Sequence, residues 1–331
     1  MVELIDKFAR KITYLRVSVT DHCNFKCSYC RTEQDDAGSL RKDILNNDQL
    51  VRLIAIFTQL NVKKIRLTGG EPLLRKNILN LVARIASLPD IEDFSMSTNA
   101  LLLNKMADQL YNSGLKRLNI SLDSLNPKKF FEITRGGDLA QVLTGIEAAV
   151  HAGFKPIKVN MVVMKGINDD EIEPMLNFAI EKGLQLRFIE TMPIGESGAE
   201  VVERYFSSEQ ILTRIEQHLG TSLKAIKSSQ NAGPARIYQI NNHQTNIGVI
   251  SALSHHFCQT CNRVRLTSNG LLVLCLGQEN SVSLLELLKG NYSDDQIKQE
   301  IIKAIAMKPE KHDFKDNRFN SINLKMVSLG G

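Results

Sequence analysis

The sequence predicts an α/β fold in which an open, partial barrel of six strand–helix units precedes a smaller α+β domain. Two patterns predict this arrangement. Between residues 12 and 190, short strand-like segments alternate with segments of helical periodicity, which is typical of parallel strands joined by helices. After residue 193, short strands, a hairpin turn at Asn269-Gly270 and separate helices replace that alternation. We therefore expect one domain over residues 1–193 and a second over residues 194–331.

The predicted elements follow in a regular order. Strands are expected near residues 12–20, 63–68, 93–98, 116–122, 155–163 and 184–190, with helices over 48–60, 78–87, 104–113, 140–152 and 170–182. Six units are too few to close an eight-stranded barrel, so a TIM-like barrel with an open side is expected. A doubly wound sheet is the alternative. The second domain should contain a helix near 208–219, strands near 236–240, 245–250, 264–267 and 271–275, and helices over 284–289 and 294–306, and should cap the barrel mouth.

Alternation within the six strands separates a polar face from an apolar one. Residues i and i+2 of a strand share a face, so Leu15 and Val17 oppose Arg16 and Ser18. The apolar face must pack under the helices, which leaves the polar face to line the lumen. The polar face of the other strands carries Arg66, Thr68, Ser95, Ser97, Asn119, Ser121, Lys158, Asn160, Gln185 and Arg187.

The lumen predicted in this way contains four cations, and unpaired buried charge is costly. We expect it to be a wet cavity for a polar, anionic ligand. One or two of the cations could instead pair with Glu71, Asp123 or Glu190.

All six cysteines fall into two triads, Cys23, Cys27 and Cys30 and then Cys258, Cys261 and Cys275. Three thiolates can hold a four-iron cluster and leave one iron open to a further ligand, so we predict two [4Fe–4S] clusters. A zinc site completed by His22 or His255 is an alternative. Disulfides are another, but they need an oxidising compartment. The sequence shows neither a signal peptide nor an apolar run of membrane-spanning length, and we expect a cytoplasmic protein.

The segment Gly69-Gly70-Glu71-Pro72 follows the second strand as the first triad follows the first strand. Two glycines let the backbone approach a ligand closely, and Glu71 can accept a hydrogen bond from an ammonium group. Together with the three-cysteine loop, this segment resembles the radical S-adenosyl-L-methionine (SAM) superfamily. The resemblance implies that SAM chelates the open iron of the first cluster and is cleaved to methionine and a 5′-deoxyadenosyl radical.

The second triad and its surroundings resemble the GTP 3′,8-cyclase family of molybdenum cofactor biosynthesis. The resemblance runs through nearly the whole chain and rests on residues 258–267, Cys275-Leu276, Arg16, and residues 65–72, 119–123, 158–160, 165–169, 187–190 and 330–331. It implies a lyase that converts GTP to 3′,8-cyclo-7,8-dihydro-GTP by joining C8 of guanine to C3′ of ribose. It also implies that the open iron of the second cluster contacts the purine.

The resemblance further implies roles for individual residues. The residues expected to bind SAM are Tyr29, Gly70, Glu71, Ser121 and Met192. The residues expected to bind GTP are Arg16, Arg66, Ser97, Lys158, Arg187, Arg263, Val264 and Arg265. Gly330 and Gly331 are expected to enter the active site. The expected partners are GTP, an electron donor, an enzyme that takes the cyclised nucleotide and a second copy of the chain, with neither membrane nor nucleic acid.

The sequence departs from the family pattern at Arg31-Thr32-Glu33, where Met-Pro is frequent, at Ala100, where glycine is usual, and at Leu329, where isoleucine is common. No cluster ligand is lost, although the loop after Cys30 should have a different shape. Two other interpretations stay open. One is a different radical SAM enzyme with an auxiliary cluster, such as a peptide maturase, which usually carries more C-terminal cysteines. The other is a zinc-stabilised nucleotide- or RNA-binding protein, although a net charge of +5 is too diffuse to indicate nucleic acid.

Overall fold

One sheet of twelve strands runs through both halves of the described chain. The computed structural model describes residues 2–30, 44–194, 203–226, 233–241, 243, 245–278, 280–312, 314 and 329. The centre of the sheet consists of β1 (Tyr14–Ser18), β2 (Lys64–Thr68), β3 (Asp93–Thr98), β4 (Arg117–Ser121), β5 (Ile157–Val163) and β6 (Gln185–Glu190). These six strands are parallel and lie in sequence order. The open partial barrel is therefore confirmed, because a doubly wound sheet would reverse its strand order.

Helices connect the six central strands. They are α1 (Asn47–Gln59), α2 (Ile78–Ala86), α3 (Leu103–Asn112), α4 (Pro127–Thr134), α5 (Leu139–His151) and α6 (Ile172–Glu181). The sequence analysis missed α4, which has only two turns. Its start was nevertheless readable, since the Asn126 side chain accepts from the N–H groups of Lys128 and Lys129, and Pro127 occupies the first helical position. None of the described helices is long and apolar enough to cross a membrane.

The C-terminal half extends the sheet at both edges. Its elements are α7 (Ser208–Leu219), β7 (Lys224–Ile226), β8 (Arg236–Gln239), β9 (Asn246–Ile250), β10 (Arg263–Leu266), β11 (Leu271–Val273), β12 (Ser281–Ser283), α8 (Leu284–Lys289) and α9 (Asp294–Ala306). β9 pairs in parallel with β6, and β10 pairs in parallel with β1. The three-residue strands β7 and β12 were not predicted, because so short a segment shows no clear alternation.

The predicted division into two strand faces is confirmed. Leu15, Val17, Ile65 and Leu67 have no exposed surface and belong to the main hydrophobic core, which α1 also joins through Leu50. Fully burying an aliphatic side chain of this kind contributes about 1.5–3 kcal/mol. The opposite face of the same strands lines the lumen, as described below.

The backbone conformation of Ala100 is one that the glycine expected at this position would adopt more easily. Its φ is +65°, in the left-handed region that favours glycine. A Cβ added at Gly145 would lie 2.1 Å from the Ala100 carbonyl oxygen, so glycine at 145 lets α5 pack closely against this turn. The methyl group of Ala100 is tolerated in a fully buried position.

Glu190, at the end of β6, fastens the C-terminal half to the barrel. Its carboxylate accepts from the N–H groups of Ser208 at 2.8 Å, Leu253 at 3.0 Å and Ser254 at 3.1 Å, and from the hydroxyls of Tyr205 and Ser254. Burial favours the neutral form, but these hydrogen bonds outweigh burial and lower the pKa of Glu190. One carboxylate thus joins β6 to the start of α7 and to the loop after β9.

Replacing Glu190 by glutamine should destabilise the fold by about 1–3 kcal/mol, because the amide NH2 would face hydrogen-bond donors. Urea unfolding followed by circular dichroism measures this change. The wild-type advantage should be present above the unfolded pKa of about 4.3 and be lost as the pH falls through the lower folded pKa. Glu181→Gln, whose side chain is 74% exposed, is the control and should be neutral. Equal losses in both variants would contradict the assigned role.

Candidate active site

The first cysteine triad lies on the loop that leaves the carboxyl end of β1. Cys23, Cys27 and Cys30 are free thiols and line a cavity of about 180 Å³ together with Glu71 and Ser121. Burial, and then the neighbouring Cys30, raise the pKa of Cys27 well above its ordinary value. The thiolate form therefore needs a positive centre beside it, which fits an iron–sulfur cluster.

The Gly-Gly-Glu-Pro segment holds the triad loop in place. The N–H of Gly70 donates to the carbonyl of Thr20 at 2.8 Å, and the N–H of Glu71 donates to that of His22 at 2.6 Å. A Cβ added at Gly70 would lie 2.0 Å from the His22 carbonyl oxygen. The close approach that requires glycine here is thus to the backbone of the triad loop, whereas the sequence argument placed a ligand there.

Glu71 is buried at the floor of this cavity. Its carboxylate accepts from the N–H of Leu73 at 3.0 Å, the hydroxyl of Thr98 at 2.8 Å and the N–H of Asn99 at 2.8 Å. Burial raises the pKa of Glu71 to about 7, and the three hydrogen bonds oppose that shift. Because a carboxylate offers about four acceptor sites, one is left for a cationic group of a ligand.

Asp123 is a site residue that the sequence analysis did not assign. Its Oδ2 accepts from the hydroxyl of Tyr29 at 2.7 Å, and its Oδ1 accepts from the N–H of Val162 at 2.8 Å. Burial raises the pKa of Asp123 to about 6. The carboxyl group therefore fixes Tyr29, and with it the triad loop, to β5. The sequence signal was the position of Asp123 just past the end of β4.

A second cavity, of about 450 Å³, is lined by cations. The predicted nucleotide residues on its wall are Arg16, Arg66, Lys158, Arg187, Arg263 and Arg265. Arg117 and Lys64 also line it and were not predicted. Ser97 lines the first cavity instead, and Val264 lines the cavity of the second triad.

Three carboxylates were considered as partners for these cations. All three are hydrogen-bonded elsewhere, as described above: Glu71, Asp123 and Glu190. Among the described residues on the wall of the second cavity, the one acidic side chain is Asp93, which pairs with Arg117. The positive charge of the cavity therefore exceeds its negative charge, and an anion fits it.

The crowding of the cations, together with their burial, lowers their pKa values. Burial, and then Arg187, Arg117 and Arg66, lower the pKa of Lys158 to about 7. Burial, and then Arg66, lower the pKa of Arg187 to about 10. Burial and Arg265 likewise lower the pKa of Arg16 well below its ordinary value. A bound polyanion would relieve this repulsion.

The two cavities meet inside the barrel. Asn160, Ile189 and Met192 line both of them. The Oδ1 atom of Asn160 is buried and has no hydrogen-bond partner among the described residues. A molecule bound beside the first triad would therefore lie next to one bound among the cations, with an unsatisfied amide oxygen between them.

The second triad lines a third, smaller cavity of about 70 Å³. Backbone N–H groups support two of its sulfurs, from His312 to Cys258 and from Gly277 to Cys275. Burial alone would raise the pKa of Cys261, but Arg263 and Lys308 outweigh it and lower that pKa. N–H donors and cations around the sulfurs fit an iron–sulfur cluster.

The side chains considered for a zinc site are arranged as follows. No three or more His, Cys, Asp or Glu side chains in the described part of the chain converge on a site for one metal ion. His255, one proposed fourth ligand, lies 3.5 Å from Glu209.

The end of the chain reaches the site through Leu329. Its side chain is buried with Ile194, Val273 and Phe314, and its carbonyl accepts from Nη1 of Arg265 at 2.8 Å. Gly330 and Gly331 lie outside the described residues, as does the segment Arg31-Thr32-Glu33 after Cys30.

Two family models match consecutive parts of the chain, and close relatives match nearly all of it. The radical SAM superfamily matches residues 17–179, and the family Molybdenum Cofactor Synthesis C matches residues 184–314. A GTP 3′,8-cyclase of Hydrogenovibrio crunogenus is 50% identical over 329 residues, which cover 99% of each chain. GTP 3′,8-cyclase 1 of Pseudomonas aeruginosa is 45% identical over 316 residues, which cover 95% of each.

Solved structures support the fold. Streptococcus suis SuiB bound to S-adenosylmethionine has a TM-score of 0.63 at 16% identity, over 89% of this chain and 69% of that one. SuiB bound to precursor peptide SuiA has a TM-score of 0.65 at 15% identity, over 98% and 76%. At these identities the likeness concerns the fold alone.

The partial barrel, with a three-cysteine loop after its first strand, is that of a radical SAM enzyme. That family implies a [4Fe–4S] cluster and SAM, for which the first cavity supplies three thiols and the Glu71 carboxylate. Within the superfamily, the chain belongs to the GTP 3′,8-cyclase family.

The lowered pKa of Lys158 predicts that anion binding in this cavity depends on pH. A lysine with a pKa of about 7 is charged below that pH and loses its charge above it. Tripolyphosphate affinity should therefore fall as the pH rises from about 6.5 to 8.5. Above the pKa of Lys158, the part of the affinity that its charge contributes should fall by up to about tenfold per pH unit. Isothermal titration calorimetry at several pH values measures this dependence.

Lys158→Arg is the matched control, since its guanidinium stays charged in this range. The variant should show a flatter pH dependence, because the titration of the phosphate itself is common to both proteins. Superimposable pH profiles for the two proteins would contradict the assigned role of Lys158.

Proposed function

We propose that this protein is a GTP 3′,8-cyclase that converts GTP to 3′,8-cyclo-7,8-dihydro-GTP at an early step of molybdenum cofactor biosynthesis. One observation supports this most directly. The cavity beside the first triad and the cation-lined cavity meet at Asn160, Ile189 and Met192. A radical formed in the first cavity would thus arise next to the ribose of a nucleotide bound in the second.

Residues of the first cavity hold SAM in this proposal. Cys23, Cys27 and Cys30 ligate the cluster, and the remaining acceptor site of Glu71 receives the SAM ammonium group. Tyr29, positioned by Asp123, and Met192 form walls of the same cavity, and we also assign Gly70 and Ser121 to SAM binding. The chemistry that the bound cluster supplies is one-electron cleavage of SAM to methionine and a 5′-deoxyadenosyl radical.

The cation-lined cavity holds the triphosphate. Each charge-assisted hydrogen bond contributes about 1.5–3 kcal/mol, so several arginines and Lys158 together suffice for tight binding. Ser97 lies in the first cavity and Val264 beside the second triad. We therefore propose that Ser97 contacts the nucleotide only where the cavities meet, and that Val264 contacts its purine end.

The second triad, Cys258, Cys261 and Cys275, holds a second [4Fe–4S] cluster in our proposal. The hydrogen-bond donors and the cations around its sulfurs support this assignment. The purine of GTP would approach the open iron, because Arg263 and Arg265 line both the third cavity and the cation-lined one.

The remaining assignments complete the proposed function. We place the protein in the cytoplasm, where the free thiols would stay reduced. An electron donor, an enzyme that takes the cyclised nucleotide and a second copy of the chain are the proposed partners. We assign residues 1–193 to SAM chemistry and residues 194–331 to the second cluster and to substrate capping.

An anaerobic assay with SAM, dithionite and each of the four nucleoside triphosphates tests the function, and only GTP should yield a cyclised product. Two cysteine variants separate the clusters. Cys27→Ala should abolish SAM cleavage and leave about half of the iron. Cys261→Ala should also leave about half of the iron, but should keep SAM binding while losing cyclisation.

Wild-type protein with about four irons in total would contradict the second cluster. Turnover of a peptide without turnover of GTP would favour the maturase interpretation instead.

The chain end supplies another prediction. Leu329 is anchored beside Met192 and Cys30 and bonded to Arg265, so we propose that Gly330 and Gly331 continue into the active site. Gly330→Val should block this narrow path and lower turnover by about tenfold or more. Iron content and GTP affinity should be nearly unchanged. Leu329→Ile, which keeps the apolar anchor, is the control and should retain activity. A fully active Gly330→Val protein would refute the proposal.

A further inference from the structure

Lys308 is a buried cation that the proposed reaction has not used. It follows α9, and only 2% of its surface is exposed. Its Nζ donates to the carbonyl of Leu274, the residue before Cys275, and the side chain lines the third cavity with all three cysteines of the second triad. The ammonium group therefore lies at the wall of the proposed cluster site.

Among the side chains that the structure describes, no acidic one pairs with the charge of Lys308. Burying an ammonium group is costly unless a negative charge lies nearby. In the described ranges, no Asp or Glu forms an ion pair with Lys308, and the one hydrogen bond of its ammonium group is to a carbonyl. The three cysteines that share its cavity would be negative groups as thiolate ligands of a bound cluster.

Arg10 provides the contrast. It is also buried near the triad, where its Nη1 donates to the carbonyl of Cys258 at 2.8 Å. Its guanidinium, however, forms an ion pair with Asp6 at 2.6 Å, so its charge is already balanced. Of these two buried cations, Lys308 is the one whose charge the cysteine centre must balance.

Lys308 does not line the cavity proposed for the triphosphate. Arg263 and Arg265 line both the third cavity and the cation-lined one, whereas Lys308 lines only the third. An effect of Lys308 should therefore act at the cysteine centre rather than on the triphosphate. Two of its three N–H donors remain available for sulfur atoms of that centre.

We propose that Lys308 is a positioning residue of the second cluster: its ammonium group balances the charge of the thiolates, holds the Leu274-Cys275 backbone in place and favours the reduced state of the cluster. This inference rests on the second cluster of the proposed function. Removing a nearby positive charge destabilises the reduced, more negative state and so lowers the reduction potential. It also weakens retention of the metal, as loss of outer-sphere contacts does.

The test compares Lys308→Met, Lys308→Arg and Lys303→Met in the holoenzyme. Lys303→Met is the matched control, because it removes one positive charge from a side chain on α9 that is 69% exposed. Redox titration followed by electron paramagnetic resonance gives the potentials, and SAM binding identifies the signal of the first cluster. Iron release to a chelator gives retention.

Lys308→Met should lower the potential of the second cluster and weaken its retention of iron roughly ten- to a hundredfold, with SAM cleavage preserved. Lys308→Arg should keep the potential close to that of the wild type, and Lys303→Met should match the wild type in both measurements. Wild-type potential and retention in Lys308→Met would overturn the inference. Wild-type protein with only four irons would instead overturn the second cluster itself.

Loss of first-cluster iron in Lys308→Met would indicate that this variant does not fold. In that case Lys308→Gln replaces Lys308→Met in the test, because glutamine keeps a donor for the Leu274 carbonyl without the charge. The potential of the second cluster and its retention of iron then test the inference in that variant.

Discussion

The apolar face of six parallel strands must be covered, and the rest of the structure depends on this constraint. Because side chains alternate along a strand, burying Leu15 and Val17 under the helices turns Arg16 into the lumen. The same choice in every strand gathers the cations in one cavity. Their mutual repulsion is a cost that the large core beneath the helices offsets.

Acidic side chains could have relieved that repulsion, but the fold uses them for other contacts. Glu71 holds the chain at Leu73, Thr98 and Asn99, and Glu190 fastens α7 and the loop after β9. The positive charge of the lumen is therefore kept for a ligand. A triphosphate would neutralise several cations at once and so return their lowered pKa values toward the ordinary ones.

Most of the barrel was predictable from the sequence, because strand alternation and helical periodicity are local properties. The six central strands and the polar lining of the lumen follow from period-two patterns alone. Contacts between distant segments were not predictable in this way. Lys308 bonds to a carbonyl 34 positions away, and Asp123 reaches Tyr29 across 94. Neither shows a spacing that would single it out before the chain is folded.

The pairing of β1 with β10 fixes the positions of the two cysteine triads relative to each other. Arg16 is the register partner of Arg265. The first triad follows the carboxyl end of β1, while Cys258 and Cys261 precede the amino end of β10. Because these strands are parallel, the triads lie at opposite ends of one strand pair.

A five-residue strand at about 3.3 Å per residue separates those ends by roughly 17 Å. A nucleotide can span such a gap with its triphosphate among the cations between the two ends. The Ser268 hydroxyl, on the loop that follows β10, donates to Asp21 at 2.6 Å on the loop that carries the first triad. The loops after β1 and β10 are thereby joined at the end where the first triad lies, and the separation between the two triads is set by the sheet itself.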